Sequence, residues 1–303
     1  MQAKAASKAP GFDSPARRGQ ELPAGPRLLP QRNPFFSRSN SASAESTPAP
    51  AKTASLPPAV TTDAVAAQHA AQACPKKFVV VLDPGHGGKD PGAVSADGKL
   101  KEKDVTLAVA KRLQRLLRKK MPSVTVALTR EDDRFLSLQE RTELANRMNA
   151  DIFVSLHCNG TTDSVSRGIE TFYLSKSSSP RARRIAAREN GIPLSKMSDL
   201  EATLLNLMVT AKTTESDALA KEVHSSIIRT LKRHASGGRD RGVRRAPFYV
   251  LLGATMPAIL VECAFISSSR ERDKLTSGEY LDSIAGGLAE GTLHYLQGLG
   301  DRG

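Results

Sequence analysis

Three short apolar runs each stop at a residue able to bind a metal ion, and that recurrence constrains the fold more than any other feature of the chain. Phe78–Val81 leads into Leu82-Asp83-Pro84-Gly85-His86-Gly87-Gly88, Ile152–Leu156 into His157-Cys158-Asn159, and Ala258–Val261 into Glu262. Runs this short, bounded by turn residues, read as strands buried on both faces. Side chains at the carboxyl ends of parallel strands share one edge, which is where open α/β sheets carry their sites.

The rest of the chain supports an α/β fold with a largely parallel sheet of about six strands flanked by helices. Strands are predicted at Phe78–Leu82, Val124–Thr129, Ile152–Leu156, Ile169–Leu174, Phe248–Leu252 and Ala258–Val261. Helical periodicity runs over Lys103–Lys119, Ser137–Asn149 and Ser277–Leu296. Residues 1–75 are rich in Ala, Ser and Pro and poor in aliphatics, so they are expected to form a disordered leader rather than a core. A single folded domain is expected over 76–298, with a short tail at 299–303. The one long departure from the strand–helix rhythm lies between Ser175 and His234. Helices are expected there at Pro180–Glu189, at Ser198–Ala211 behind the cap-like Ser198-Asp199-Leu200-Glu201, and at Glu215–Leu231. An excursion of this length is characteristic of a lid or regulatory element, and 175–213 is the candidate insertion.

Composition narrows the classes of partner. The net charge is +13, but the basic residues are mixed with acidic ones, Trp is absent, and no stretch interleaves bases with aromatics. No nucleic-acid partner is therefore expected. The three cysteines, Cys74, Cys158 and Cys263, do not make a disulfide framework. Cys158 and Cys263 each follow a candidate site residue, so their side chains belong on the opposite face of the sheet, as buried thiols. No apolar run is long enough to span a bilayer. Arg17-Arg18 resembles a twin-arginine pair, but no hydrophobic export segment follows it.

Two imidazoles and a carboxylate are the donors that a catalytic zinc takes when a fourth position is left for water. His86 and His157 supply the imidazoles. Spacing does not choose the carboxylate. Glu102 heads a helix, where an acid also serves simply to offset the helix dipole, and Asp90, Asp97 and Asp104 are rivals. Glu262 closes an apolar strand, where an ionised group needs an arginine partner or a nearby metal. Within reach of a metal-activated water it would act as general base and then as acid.

These segments together resemble the zinc-dependent N-acetylmuramoyl-L-alanine amidases, the cell-wall amidases of bacterial division. The matching residues run through Val81–Gly92, Glu102-Lys103, Thr129-Arg130, Arg141, Ala145-Asn146 and Ser155–Asn159. They continue through Gly168–Glu170, Phe248–Leu251 and Pro257–Ile266, spanning most of Lys76 to Leu296. The resemblance implies Zn2+ ligands at His86, Glu102 and His157 and a catalytic glutamate at Glu262. Asn159 and Arg130 are expected in supporting roles. It implies hydrolysis of the amide between N-acetylmuramic acid and L-alanine of peptidoglycan during septal wall splitting, and a periplasmic or envelope location. It also implies a helix held over the active site and released by an activator protein with a degenerate metallopeptidase domain. Ser198–Ala211 is the candidate blocking helix and Glu201 its candidate inhibitory ligand. The competing readings are another zinc peptidoglycan hydrolase, cutting within stem peptides, and a non-enzymatic wall-binding protein.

Overall fold

The computed structural model describes residues 77–161, 165–175, 178–198, 212–234 and 237–300. They form one six-stranded sheet with helices on both faces. The strands are β1 (Val79–Pro84), β2 (Thr125–Leu128), β3 (Ile152–Asn159), β4 (Ile169–Leu174), β5 (Asp240–Ala246) and β6 (Ala258–Phe265). Their spatial order is β2-β1-β3-β6-β4-β5. Every neighbouring pair is parallel except β4 with β6. The sheet is thus largely parallel, with β4 and β5 running opposite to the rest.

The helices are α1 (Glu102–Lys120), α2 (Leu138–Arg147), α3 (Pro180–Glu189), α4 (Thr213–Arg233), α5 (Ser269–Leu275) and α6 (Gly278–Gly300). Each begins or packs for a readable reason. Val105, Val109, Leu113 and Leu117 make the buried stripe of α1. A reciprocal capping box between Ser137 and Glu140 starts α2. Ser179 caps α3, and Pro180 presets its first turn. α4 and α6 approach closely because α6 offers glycine at the contact. A Cβ on Gly291 would stand 2.5 Å from Val223 Cα, and one on Gly287 2.6 Å from Ile227 Cα.

Alternation along the central strands separates two cores. Val80, Leu82, Val154, Leu156, Ile259 and Val261 pack under α1, α4 and α6. Val81, Phe153, Phe172 and Leu260 pack on the other face, towards α2 and α3. Cys158 and Cys263 fall in the first core, both free and buried, as strand alternation requires. His157 and Glu262 share the strand parity of Phe153 and Leu260, so their side chains belong to the second face.

One expected strand is corrected, and one strand was not expected. Phe248–Leu252 is not a strand: Tyr249–Leu251 is a short 3-10 turn, and Phe248 is held edge-on against Phe172 at 5.0 Å between ring centroids. The missing strand is β5, whose Asp-Arg-Gly-Val-Arg-Arg sequence carries no apolar alternation. It is an edge strand, fixed by its backbone pairing with β4 while its arginines reach solvent. The candidate blocking helix Ser198–Ala211 lies, apart from Ser198, outside the described residues, and so does Glu201. No described helix is long and apolar enough to cross a membrane.

Candidate metal centre

The loop after β1 is shaped by backbone conformation that few side chains permit. His86 itself has φ 61°, and Gly87, Gly88 and Gly92 are also at positive φ. Gly92 is required by contact as well: a Cβ there would come 2.6 Å from His86 Cδ2 and 2.7 Å from Glu102 Oε2. Two buried arginines hold the loop by its carbonyls. Arg130 donates to Pro84 O, Gly85 O and Lys103 O at 2.8–2.9 Å. Arg141 donates to Pro84 O and His86 O, both at 2.9 Å, and to Asp83 Oδ1 at 2.9 Å. Asp83 also accepts from Thr129 Oγ1 and Ser155 Oγ, and despite its burial Arg141 holds its carboxyl below the usual range.

Four donors converge above this loop. His86 Nε2 lies 3.2 Å from both Glu102 Oε1 and Glu189 Oε2. His157 Nδ1 lies 3.1 Å from Glu102 Oε1 and 2.9 Å from Glu189 Oε2. All four donor atoms fall within 4.8 Å of one another. Bonds of the length zinc makes to nitrogen and carboxylate oxygen imply a tetrahedron with edges of about 3.3 Å, close to these separations. His86 Nε2 and Glu189 Oε2 are buried without a hydrogen-bond partner, which is what atoms meant for an ion show in its absence. Protein groups orient two of the four donor residues, His86 and Glu102. Asp90 Oδ2 meets His86 Nδ1 at 2.8 Å, while the amides of Ala93 and Cys158 donate to Glu102 at 2.8 and 2.7 Å.

Electrostatics agrees with the geometry. Burial opposes charge on His86, but Glu102 and Asp90 outweigh it and raise its pKa to about 12. Burial likewise opposes charge on His157, and Glu189 with Glu102 raises it to about 9. Glu102 is pulled down to about 2 against its burial, chiefly by His86. Two protonated imidazoles therefore balance two carboxylates, and a divalent cation can replace the two protons.

Glu262 stands beside this cluster on β6, the register partner of His157 on β3 and of Glu170 on β4. It is fully buried, and neither carboxylate oxygen has a hydrogen-bond partner. Burial, reinforced by Glu189, raises its pKa to about 8. Its nearest cation is Arg188, with Nη2 at 3.5 Å. Glu170 is paired instead with Arg181, Arg244 and Arg241 at 3.1, 3.3 and 3.5 Å.

The structure thus brings His86, Glu102, His157 and Glu262 to one edge. It leaves Asp97 with Ser95 and Arg272 and Asp104 on the exposed side of α1, and gives Asp90 a supporting place. Glu189 is the residue that sequence reasoning missed. A signal was present: an acid in the last turn of a helix opposes the helix dipole, and α3 ends Arg188-Glu189. Burial opposes its charge too, yet Arg188 and His157 hold its carboxyl well below the ordinary range.

A sequence profile of the N-acetylmuramoyl-L-alanine amidases matches residues 80–294. The chain belongs to that family. It is 36% identical over 229 residues to N-acetylmuramoyl-L-alanine amidase AmiA of Escherichia coli, covering 73% of this chain and 76% of that one. Among solved structures it is similar to the amidase AmiC2 of Nostoc punctiforme, at 34% identity and TM-score 0.56, covering 73% of this chain and 98% of the other. An amidase from Clostridium difficile gives 33% identity and TM-score 0.57, covering 73% and 97%. Family and donor cluster together make this an amidase-type peptidoglycan hydrolase with a site able to hold a metal.

Proposed function

We propose that the protein is a zinc-dependent N-acetylmuramoyl-L-alanine amidase whose site is closed by its own helix α3. His86, Glu102 and His157 are the resident ligands. When bound, the ion supplies Lewis acidity towards water and the amide carbonyl. Glu262 takes the proton of the attacking water as the new C–O bond forms. It then delivers that proton to the nitrogen of L-alanine as the C–N bond breaks, leaving a muramic-acid carboxylate and a free peptide amine.

The observation that carries the closed state is Glu189 Oε2, within 2.9–3.2 Å of the donor atoms of both histidines. A catalytic zinc keeps one coordination position open, and Glu189 stands where water or substrate would bind. The space beside the cluster is about 180 Å³, against the several hundred usual for a ligand site. Glu189 takes the inhibitory role that the family resemblance suggested for Glu201, so the plug is the helix at Pro180–Glu189. Opening it is the task of the activator that the resemblance implies, and wall splitting at the septum is the process it would serve.

The test is digestion of purified walls by the zinc-loaded chain and by Glu189→Ala, with the released fragments identified. Intact stem peptides with a free L-alanine amine, released faster by the variant, support the proposal. Shortened stem peptides would favour an endopeptidase or carboxypeptidase. Equal rates from the two chains would remove α3 as the plug.

A further inference from the structure

Arg188, next to Glu189, makes contacts that metal binding does not require. Its Nη1 donates to Asn159 Oδ1 at 3.2 Å and to the carbonyl of Gly160, while its Nη2 lies 3.5 Å from Glu262. Asn159 ends β3 two residues beyond His157 and is fully buried. Its Nδ2 has no hydrogen-bond partner. An arginine only donates, so the amide oxygen faces it and Nδ2 is the orphan. A buried donor without an acceptor in the protein is costly to keep and calls for a partner from outside the chain.

Beside it opens a cleft of about 510 Å³, bordered by Gly160, Thr161, Ser267 and Arg188. Glycine at 160 keeps the ledge low: a Cβ there would come 2.9 Å from Ala93 Cβ and 3.2 Å from Arg188 Nη1. Arg188 thus engages two acceptors at the Gly160 border of the cleft, Asn159 Oδ1 and Gly160 O, and the unpartnered donor Nδ2 belongs to the same Asn159 amide, while the other arm of the guanidinium faces Glu262. That set of acceptors and donor is the complement of a peptide unit, which offers one N–H and one C=O.

We propose that Asn159 and the Gly160 carbonyl are the positioning ledge for the stem-peptide backbone just beyond the scissile amide. In the closed state Arg188 occupies this ledge in the place of substrate. The inference rests on the amidase reading above. Arg188 and Glu189 then close the site at two points, the ledge and the metal.

The probe is N-acetylmuramoyl-L-alanyl-D-isoglutamine, titrated calorimetrically into zinc-free full-length chain, so that binding is read without turnover. Arg188→Ala/Glu189→Ala is expected to bind it at least about tenfold more tightly than the parent. Adding Asn159→Ala to that background should weaken binding by about tenfold, the loss of one or two hydrogen bonds. In the zinc-loaded series the same addition should raise KM about tenfold and change kcat less than about threefold, whereas general loosening of the fold would lower kcat and zinc content together. Unchanged affinity on adding Asn159→Ala would overturn the ledge, and so would equal binding by the parent and the double variant. If the muramyl amide is cleaved while either of those results is found, the ledge fails alone. If the binding pattern holds and no variant cleaves the amide, the amidase reading fails, and Asn159 with the Gly160 carbonyl remains a peptide-binding ledge without its catalytic role.

Discussion

The two walls of the metal centre are both held by arginines, but in opposite ways. On the β1–β2 side, Arg130 and Arg141 are 0% and 2% exposed and bond mainly to main-chain carbonyls of the His86 loop. On the α3 side, the Arg181 and Arg188 side chains are each 32% exposed and pair mainly with the carboxylates of Glu170, Glu189 and Glu262. A buried guanidinium on carbonyls has no substitute partner in water and fixes the loop permanently. A guanidinium one-third exposed can trade a carboxylate for solvent at little net loss where that acid keeps other cations, as Glu170 keeps Arg241 and Arg244. On the proposed reading the first wall is scaffold and the second is latch.

The largest expected effect concerns Glu262, which stands between the walls. In the opened Glu189→Ala background, Glu262→Gln should lower kcat by about 10²–10⁴-fold, the usual contribution of a positioned acid–base group. Zinc content, measured by atomic absorption, should not change, because Glu262 is outside the donor set. Loss of zinc with activity would place Glu262 in the scaffold instead.

Next comes a direct trial of scaffold against latch by urea unfolding. Asp83→Asn removes the counter-charge of buried Arg141 and should destabilise the protein by about 3–5 kcal/mol. Arg181→Ala leaves Glu170 with Arg241 and Arg244 and should cost less than about 1 kcal/mol. Equal losses would erase the distinction. The Asp83 effect also has a predicted pH dependence. Its folded pKa is depressed, so its stabilisation is full above the ordinary value of 3.8 and is lost as pH falls through the lowered folded value. The gap between wild type and Asp83→Asn should therefore narrow only in strong acid.

The scaffold was far more legible in the sequence than the latch. Strand-end positions of His86, His157 and Glu262 follow from apolar runs that stop abruptly, because a buried strand leaves little choice of residue. Glu102 was harder to read, since the start of a helix rewards an acid whether or not a metal is near. β5 was unreadable by alternation because an edge strand is fixed by backbone pairing and tolerates Arg244 and Arg245 on its surface. Glu189 was not singled out because helix propensity says nothing of what a helix end touches, and Glu201, the acid the resemblance pointed to, lies outside the described residues. The misplacement of Glu189 against the dipole was the one local inconsistency, and such inconsistencies gather at functional sites.

Metal loading should stabilise the whole molecule by a smaller amount than the buried pair. Zinc at 100 times its dissociation constant adds about 2.7 kcal/mol if the unfolded chain does not bind it. The gain, seen as a rise in the thermal midpoint reversed by chelation, should shrink in Glu189→Ala, which loses one of four donors. An unchanged gain would mean that Glu189 does not touch the ion and that the latch is Arg188 alone.

The smallest effect tests whether the latch is adjustable on its own. Ser179 caps α3 by accepting from Ala182 N–H at 3.3 Å, and Ser179→Ala should weaken the helix by about 1 kcal/mol. If α3 opens as a unit, a change of that size multiplies its open population by about five. Basal wall hydrolysis should then rise up to about fivefold, with hydrogen exchange faster across Pro180–Glu189 and unchanged in α1. The global unfolding midpoint should barely move, because the scaffold does not depend on this cap. Faster exchange in α1 as well would show that lid and scaffold unfold together, and the contrast between the two walls would no longer describe how this site opens.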